Sequence, residues 1–388
     1  MADTSGKAPE DESMTKLRLT CLCGGVKASF SVPDSALPLS FDICHCQTCR
    51  HSSGQLAIQA CEIPPQHRSS FSVEGSIAKY DATGKLLRCF CHTCGANVYF
   101  EDMDTKDIFF DVGGLEWEGR SDLLKAVQHI YVSDTTDGGM SVWLPDLPAY
   151  REHPDHGPEV PLKELIAPKK APVTSTPSST AAKEKEYLPC YCRCKAIQFK
   201  ISRPHEQSRE TVAGPYADLL KPFVSTPSLV RQNRDNEPWH LSQPDSTRYT
   251  AGLCACNSCR KSSGFDIQSW AYIPLVNLHE AEDDSARPLD INALKKKTNS
   301  LLKTHHSSPG KYREFCGRCG ATIFWHCDER PGLMDVSIGL MEAPEGARAD
   351  NWLDIQTGRV SFEEEAVNKK FVGSLKEGLK AWGNGAQG

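Results

Sequence analysis

The chain has 388 residues, 18 cysteines and a formal net charge of -6. An acidic balance argues against general affinity for phosphate backbones or anionic membrane surfaces, so neither nucleic acid nor membrane is an expected partner. Residues 1–16 are polar and acidic, and no later stretch offers eighteen consecutive apolar residues. An intracellular, cytoplasmic setting is therefore expected, in which closely spaced cysteines hold metal rather than disulfides.

In chain order, the pair Cys21 and Cys23 leads into the alternation Val26, Ala28, Phe30, Val32, which predicts a half-buried strand. Cys44, Cys46 and Cys49 form one C-x-C-x-x-C group, followed by Arg50 and, further on, Ile63-Pro64. Phe90-Cys91-His92-Thr93-Cys94-Gly95-Ala96 then precedes an apolar run, Val98-Tyr99-Phe100. Gly114-Leu115 and the run His129-Ile130-Tyr131-Val132 close the segment. Proline and then Ser, Thr, Ala and Lys dominate from Arg151 to Glu186, the composition of a mobile linker.

The series then repeats. Cys192 and Cys194 lead into Ile197, Phe199, Ile201; Cys254, Cys256 and Cys259 are followed by Arg260 and Ile273-Pro274; Phe315-Cys316-Gly317-Arg318-Cys319-Gly320-Ala321 precedes Ile323-Phe324-Trp325; and Gly339-Leu340 matches Gly114-Leu115. The chain reads as an internal duplication of mainly β class, punctuated by turn residues every ten positions or so. The expected layout is one domain over 14–157, a Pro/Ser/Lys-rich linker over 158–186 and a second domain over 187–370. Insertions near 203–248 and 275–309 lengthen the second copy, the first by about 39 residues. The run from Leu294 to Lys303 fits one exposed basic helix or merely a solvated face. Copy 2 also carries Lys195 in place of Gly24, has no clear counterpart of His129-Ile130-Tyr131-Val132, and adds Cys190, which leaves open which of Cys190, Cys192 and Cys194 bind metal. The apolar alternation favours Cys192 and Cys194.

Ligand counting gives the chemistry. Structural zinc takes four donors, whereas catalytic zinc commonly keeps three protein donors and an exchangeable position. Seven cysteines per copy divide as four plus three. Cys21, Cys23, Cys91 and Cys94 close one tetrahedron, and Cys44, Cys46 and Cys49 form a cup with an open position. Copy 2 repeats this with Cys192, Cys194, Cys316 and Cys319, and with Cys254, Cys256 and Cys259. Up to two zinc ions per domain are expected.

These groups and their flanks, Cys21-Leu22-Cys23-Gly24, Cys44-His45-Cys46-Gln47-Thr48-Cys49-Arg50, Phe90 to Gly95 and the His129 run, resemble the glutathione-dependent formaldehyde-activating enzyme family, which also includes centromere protein V. The resemblance implies tandem zinc-binding β-tent domains built of small antiparallel sheets, with a structural four-cysteine and a catalytic three-cysteine zinc in each. It also implies a carbon-sulfur lyase that joins glutathione, as co-substrate, to formaldehyde as S-(hydroxymethyl)glutathione, acting on small thiols and aldehydes. In copy 1 the open cup of Cys44, Cys46 and Cys49 would carry the chemistry, because a metal-coordinated thiol is deprotonated and placed to attack an aldehyde carbon. Arg50 could anchor a peptide carboxylate through a bidentate pair, or be an ordinary surface arginine. His45 is expected to be an exposed spacer, since copy 2 has Ala255 there; Cys61, Cys89 and Cys327 are expected to be idle buried thiols; and His129 is expected to pack within a strand. Three other readings stay open: both clusters structural with an unseen fourth ligand, a non-catalytic zinc-stabilised interaction module, and a thiol-redox device.

Overall fold

The computed structural model describes residues 12–120, 122–165, 186–282 and 287–385, so most of the linker expected over 158–186 lies outside the described residues. The protein is mainly β, in two similar halves. Copy 1 contains β1 (Met14–Thr20), β2 (Val26–Pro33), β3 (Leu39–Cys44), β4 (Ile58–Glu62), β5 (Ser72–Gly75), β6 (Ile77–Asp81), β7 (Leu86–Cys91), β8 (Asn97–Asp102), β9 (Ile108–Asp111) and β10 (Leu124–Ile130). Copy 2 contains β11 (Tyr187–Tyr191), β12 (Gln198–Ser202), β13 (Tyr249–Cys254), β14 (Gln268–Pro274), β15 (Leu278–Glu280), β16 (Leu302–Ser308), β17 (Lys311–Cys316), β18 (Thr322–Cys327), β19 (Leu333–Ser337) and β20 (Leu353–Ile355).

Each copy has a three-stranded sheet, β1-β2-β5 or β11-β12-β15, and a seven-stranded sheet. The large sheets run β6-β7-β8-β9-β4-β3-β10 and β16-β17-β18-β19-β14-β13-β20, the same path twice. Neighbours are antiparallel except for β10 on β3 and β20 on β13. The alternation read from the sequence places Val26, Ala28, Phe30 and Val32 of β2 on one buried face, opposite Leu17 and Leu19 of β1. That face packs on the large sheet, where Phe30 meets Phe110 with ring centroids 5.2 Å apart; Phe199 meets Phe324 at 4.9 Å in copy 2.

The insertions have structure of their own. Residues 203–248 form short helices, Glu206–Glu210 and Ser228–Arg231, around a satellite core of Ala213, Leu219, Trp239, Tyr272 and Leu333. The basic run begins in the helix Ile291–Lys297, capped by Asp290, and two of its lysines are engaged by acids: Lys295 by Glu314, Lys297 by Glu280 and Glu282. Sequence periodicity missed one long element, the helix Lys369–Gly385. Four glycines weaken its helical signal, but they have reasons. A Cβ on Gly378 would stand 1.8 Å from the Trp143 carbonyl oxygen, and one on Gly383 would strike Thr357. The helix belongs to the end of copy 2 yet buries Phe371 against Phe41, and Trp382 against Trp143, both in copy 1.

The copies are joined by reciprocal contacts around two short helices, Gln47–Ser53 and Asn257–Ser263, each of which follows a three-cysteine group. Each helix ends in a left-handed glycine, Gly54 (φ 82°) or Gly264 (φ 89°). Gly113 N–H donates to the Gly264 carbonyl (2.8 Å), and Gly339 N–H donates to the Gly54 carbonyl (3.0 Å). Leu22 N–H donates to the Lys261 carbonyl, and Arg193 N–H to the His51 carbonyl. This pairing makes Gly113, not Gly114, the counterpart of Gly339, one residue off the match made on Gly-Leu pairs. Side chains complete the seam, with Gln55 Nε2 donating to Gln268 Oε1 at 2.7 Å and Asn97 Nδ2 to the Ser263 carbonyl at 2.9 Å.

A Cβ at Gly54 would need left-handed backbone and would sit 2.3 Å from the Thr322 carbonyl oxygen across the seam. Gly84 has a similar φ, 83°, but open space around it. Gly54→Ala is therefore expected to cost on the order of 3 kcal/mol, and Gly84→Ala only the ~1–2 kcal/mol of left-handed backbone. Thermal unfolding of the two variants side by side measures the difference.

Candidate metal centres

The first cysteine pair lies in the β1–β2 turn and the C-x-x-C group in the β7–β8 turn, so pairing within and between the sheets brings the two together. Cys21, Cys23, Cys91 and Cys94 place their sulfurs within 4.8 Å of one another, as do Cys192, Cys194, Cys316 and Cys319. Neighbouring sulfurs are 3.5 Å (Cys21–Cys23), 3.6 Å (Cys23–Cys91), 3.6 Å (Cys192–Cys194) and 3.5 Å (Cys194–Cys316) apart. A tetrahedron of sulfurs ~2.3 Å from a central ion has edges of ~3.8 Å, whereas a disulfide needs ~2.05 Å, so the groups fit a metal. Backbone donors also point at them, Val26 N–H to Cys21 (3.2 Å) and Ile197 N–H to Cys192 (3.4 Å). Hydrogen bonds from Cys91 and Cys94 hold the Cys21 thiol well below its usual range. Cys190, on β11, turns its sulfur toward the Leu188 carbonyl, apart from the group. Lys195 takes the left-handed conformation (φ 56°) that Gly24 takes in copy 1 (φ 70°), where a Cβ would meet nothing within 4 Å; the exchange clashes with no neighbour and costs only the left-handed backbone.

The three-cysteine groups form where β3 or β13 ends and the short helix begins. Cys44, Cys46 and Cys49 lie within 4.8 Å of one another, as do Cys254, Cys256 and Cys259, and among the described residues no fourth cysteine, histidine or carboxylate joins either group. Cys46 and Cys256 also cap their helices, each sulfur accepting the N–H of the third cysteine at 3.3 Å. Copy 2 contributes a wall to the first cup, since Phe265 packs in one buried cluster with Cys49, Ile58 and Phe100. Cys61, Cys89 and Cys327 are buried and belong to none of the four groups.

Arg88 escaped sequence reasoning. It is 1% exposed on β7, and its Nη2 donates to Cys49 Sγ at 3.0 Å. Arg313 on β17 stands in the same relation to Cys259, at 3.5 Å, and also donates to Ser258 Oγ. The signal was present in the duplication, because an arginine stands three residues before Cys91 and again before Cys316. Hydrogen bonds from Cys44 and Cys46 push the Cys49 thiol well down, and Arg88 pushes it further. Asp111 is buried nearby with both oxygens unbonded, and burial raises its carboxyl to about 8.

Copy 2 does contain a counterpart of the end of β10, as an isolated bridge. Ser361 pairs with Cys254 as Ile130 pairs with Cys44, and the Ala255 N–H donates to the Ser361 carbonyl as His45 N–H does to Ile130. Val360-Ser361-Phe362 thus replaces His129-Ile130-Tyr131. Tyr131 and Phe362 share a left-handed φ, 55° and 54°. Phe362 packs on the copy 2 cup, and burial, with the sulfurs of Cys44 and Cys46, raises the Tyr131 phenol. Three residues on, Asp134 and Glu365 accept the first N–H of the two short helices, from Gln47 and Asn257.

His45 is fully buried rather than exposed. The neutral ring of His129 donates from Nε2 to the Leu144 carbonyl (3.1 Å), so its Nδ1 accepts from His45 Nε2 (3.0 Å), and His45 Nδ1 is left without a donor. Copy 2 replaces both rings together, with Ala255 and Val360. His129 therefore packs, as expected of it. Arg50 is 4% exposed, with Nε and Nη1 lacking partners, whereas its counterpart Arg260 donates to the Gly113 and Leu115 carbonyls across the seam.

Replacing one histidine of the buried pair strands the other, whereas replacing both reproduces the solution of copy 2. His129→Val alone is expected to cost ~2–3 kcal/mol, and His45→Ala with His129→Val clearly less than the sum of the single changes, as a double-mutant cycle by denaturant unfolding would measure. Burial lowers the His129 ring to about 4. Its stabilisation is then complete above the ordinary histidine value near 6.5 and falls as pH drops toward 4; the double variant should lose less stability over that window.

Comparison with known proteins bears on the same residues. A model of the family described as glutathione-dependent formaldehyde-activating enzyme matches residues 16–134 and again 242–355, more than half of the chain. The second match begins at residue 242, near the end of the insertion, so Cys192 and Cys194 fall outside it, yet the fold brings them to Cys316 and Cys319. Among curated proteins, an uncharacterized lyase of Schizosaccharomyces pombe is 29% identical over 92 residues, 23% of this chain and 61% of that protein. With the family's unit matched twice and its cysteines gathered into four metal-competent groups, the chain belongs to the glutathione-dependent formaldehyde-activating enzyme family.

Proposed function

We propose that the chain is a zinc-dependent carbon-sulfur lyase that joins glutathione and formaldehyde, or a related aldehyde, as S-(hydroxymethyl)glutathione, and that copy 1 does most of the work. The observation that carries this reading is the three-sulfur cup of Cys44, Cys46 and Cys49, open at its fourth position in a chain of this family. The sulfur spacing suits zinc, which also favours thiolate donors. Cys21, Cys23, Cys91 and Cys94, with Cys192, Cys194, Cys316 and Cys319, would hold structural ions; Cys44, Cys46 and Cys49, with Cys254, Cys256 and Cys259, would hold ions with room for a substrate. Zinc in the cup would supply a site at which a thiol loses its proton.

The chain's own residues would do the rest. Arg50, a buried guanidinium with unused donors, suits a carboxylate of the thiol peptide. Phe265 and Phe100 keep water from one side of the cup, and Tyr131 follows directly on the strand paired with Cys44. The thiolate sulfur adds to the aldehyde carbon, the carbonyl π pair moves to oxygen, and that oxygen takes a proton from solvent in exchange for the one the thiol released. Holding both reactants together is the main source of acceleration. Copy 2 has spent Arg260 on the seam and has no hydroxyl at Phe362, which is why we place the activity in copy 1.

The interaction-module reading has one feature in its favour. The copy 2 insertion leaves Val212, Phe223, Val224 and Leu229 more than half exposed. Full-length protein separates the two readings. It is expected to contain up to four zinc ions by elemental analysis and to speed S-(hydroxymethyl)glutathione formation in exchange NMR. Cys46→Ser should abolish most of that activity with the fold intact, Cys256→Ser should leave most of it, and Cys94→Ser should unfold copy 1, since structural zinc contributes on the order of 10 kcal/mol in small metal-dependent folds. Zinc without any activity would favour the module, and activity that survives Cys46→Ser but not Cys256→Ser would move the working site to copy 2.

A further inference from the structure

Arg88 and Arg313 are buried cations whose surroundings do not balance them in the usual way. Among the described residues neither forms an ion pair with a carboxylate, and Nε and Nη1 of both lack hydrogen-bond partners. Among the described residues, the anion-forming group that each donates to is the third sulfur of its cup. Asp111 is the obvious rival counter-ion for Arg88, but it makes no hydrogen bond to it. Copy 2 has no carboxylate at the matching position. Asp111 lies opposite Ala60 in the β4–β9 pairing, and the equivalent of that pair in β14–β19 is Trp270 with Ser337. The aspartate has become serine, yet the arginine keeps its contact with the cysteine. Asp335, two residues earlier on β19, is ion-paired with Arg330 and feels the charge of Arg313 without bonding to it. What the two copies share is therefore direct contact of guanidinium with cup sulfur, each with a buried carboxylate in electrostatic range but not bonded to it.

The charge arithmetic gives that contact a purpose. Three thiolates and a divalent ion sum to one negative charge, and a fourth thiolate would bring the sum to two, inside a cup walled by Phe100 and Phe265 where charge is poorly solvated. A guanidinium cancels the first of these charges. We propose that Arg88 and Arg313 are the counter-ions of the two three-cysteine cups, leaving each metal-loaded cup neutral and so able to take an anionic fourth ligand such as a thiolate. This rests on the metal reading of the cups given above. Arg88 is in this sense a positioning and charge-balancing residue, acting through Cys49 and not on substrate.

The test uses full-length protein stripped of metal and reloaded with Co2+, whose thiolate charge-transfer absorption reports cysteine ligation, with release to a chelator followed in time. Wild-type protein should release its three-cysteine sites before its four-cysteine sites. Arg88→Met should speed release from one cup by about ten-fold or more and leave the slow phase unchanged, an effect of the size seen when groups bonded to metal ligands are removed. Arg88→Lys, which keeps the charge, should stay within about three-fold of wild type. Arg313→Met should act likewise on the other cup, and it carries the test should Arg88→Met fail to fold. Release unchanged in both methionine variants would overturn the proposal, as would a lysine variant as leaky as the methionine one, since shape rather than charge would then be responsible. Glutathione added to the Co2+ protein separates this from the enzymatic reading. A wild-type cup that holds metal but shows no spectral response to glutathione counts against the thiol site, while the release rates still judge the arginines.

Discussion

The arrangement depends on one backbone contact made twice, in which the left-handed glycine ending each short helix lies against the glycine that follows the β9 or β19 strand of the other copy. Gly113 and Gly264, and Gly339 and Gly54, approach so closely that no side chain fits at either member. Because the helices that end there begin at the cups, the position of Cys49 is fixed from one side by its own sheet and from the other by the second copy. The two halves are thus mutually dependent surfaces as well as repeats.

The two kinds of cysteine group are mechanically linked through this seam. Leu22 and Arg193 sit between the paired cysteines of the four-sulfur groups, and each donates its N–H to the far end of the other copy's cup helix. Strand β7 adds a second link, carrying Arg88 against the cup and Cys91 into the four-sulfur group three residues later. A four-cysteine centre in one half therefore braces a three-cysteine cup in the other, while β7 ties both kinds of centre within its own half.

Where chemistry demands a residue type at a fixed spacing, the sequence was legible. All fourteen cysteines assigned to clusters gather as four groups, because each lies in a short turn whose length fixes the spacing. Where only the backbone is constrained, it was not. Val360-Ser361-Phe362 keeps the parallel pairing, the left-handed aromatic and the helix-capping acid of His129-Ile130-Tyr131 and Asp134, yet only the aromatic character survives in its side chains. Glycines chosen for close approach hid the Lys369–Gly385 helix and shifted the Gly-Leu match by a residue. Arg88 was within reach of the duplication itself, but a buried arginine looks like any other until its neighbours are known.

In a twofold-symmetric homodimer every substitution at the interface is made on both sides at once. Here the two sides are separate stretches of one chain. Glu116 reaches Lys261 across the seam, whereas its counterpart Glu342 meets His51, Gln47 and Tyr191. Asp111 faces Ser337 in the comparison of copies, and the His45–His129 pair faces Ala255 and Val360. Covalent fusion has turned one shared surface into two independently adjustable ones, so that one cup can be reshaped while its twin continues to serve as scaffold.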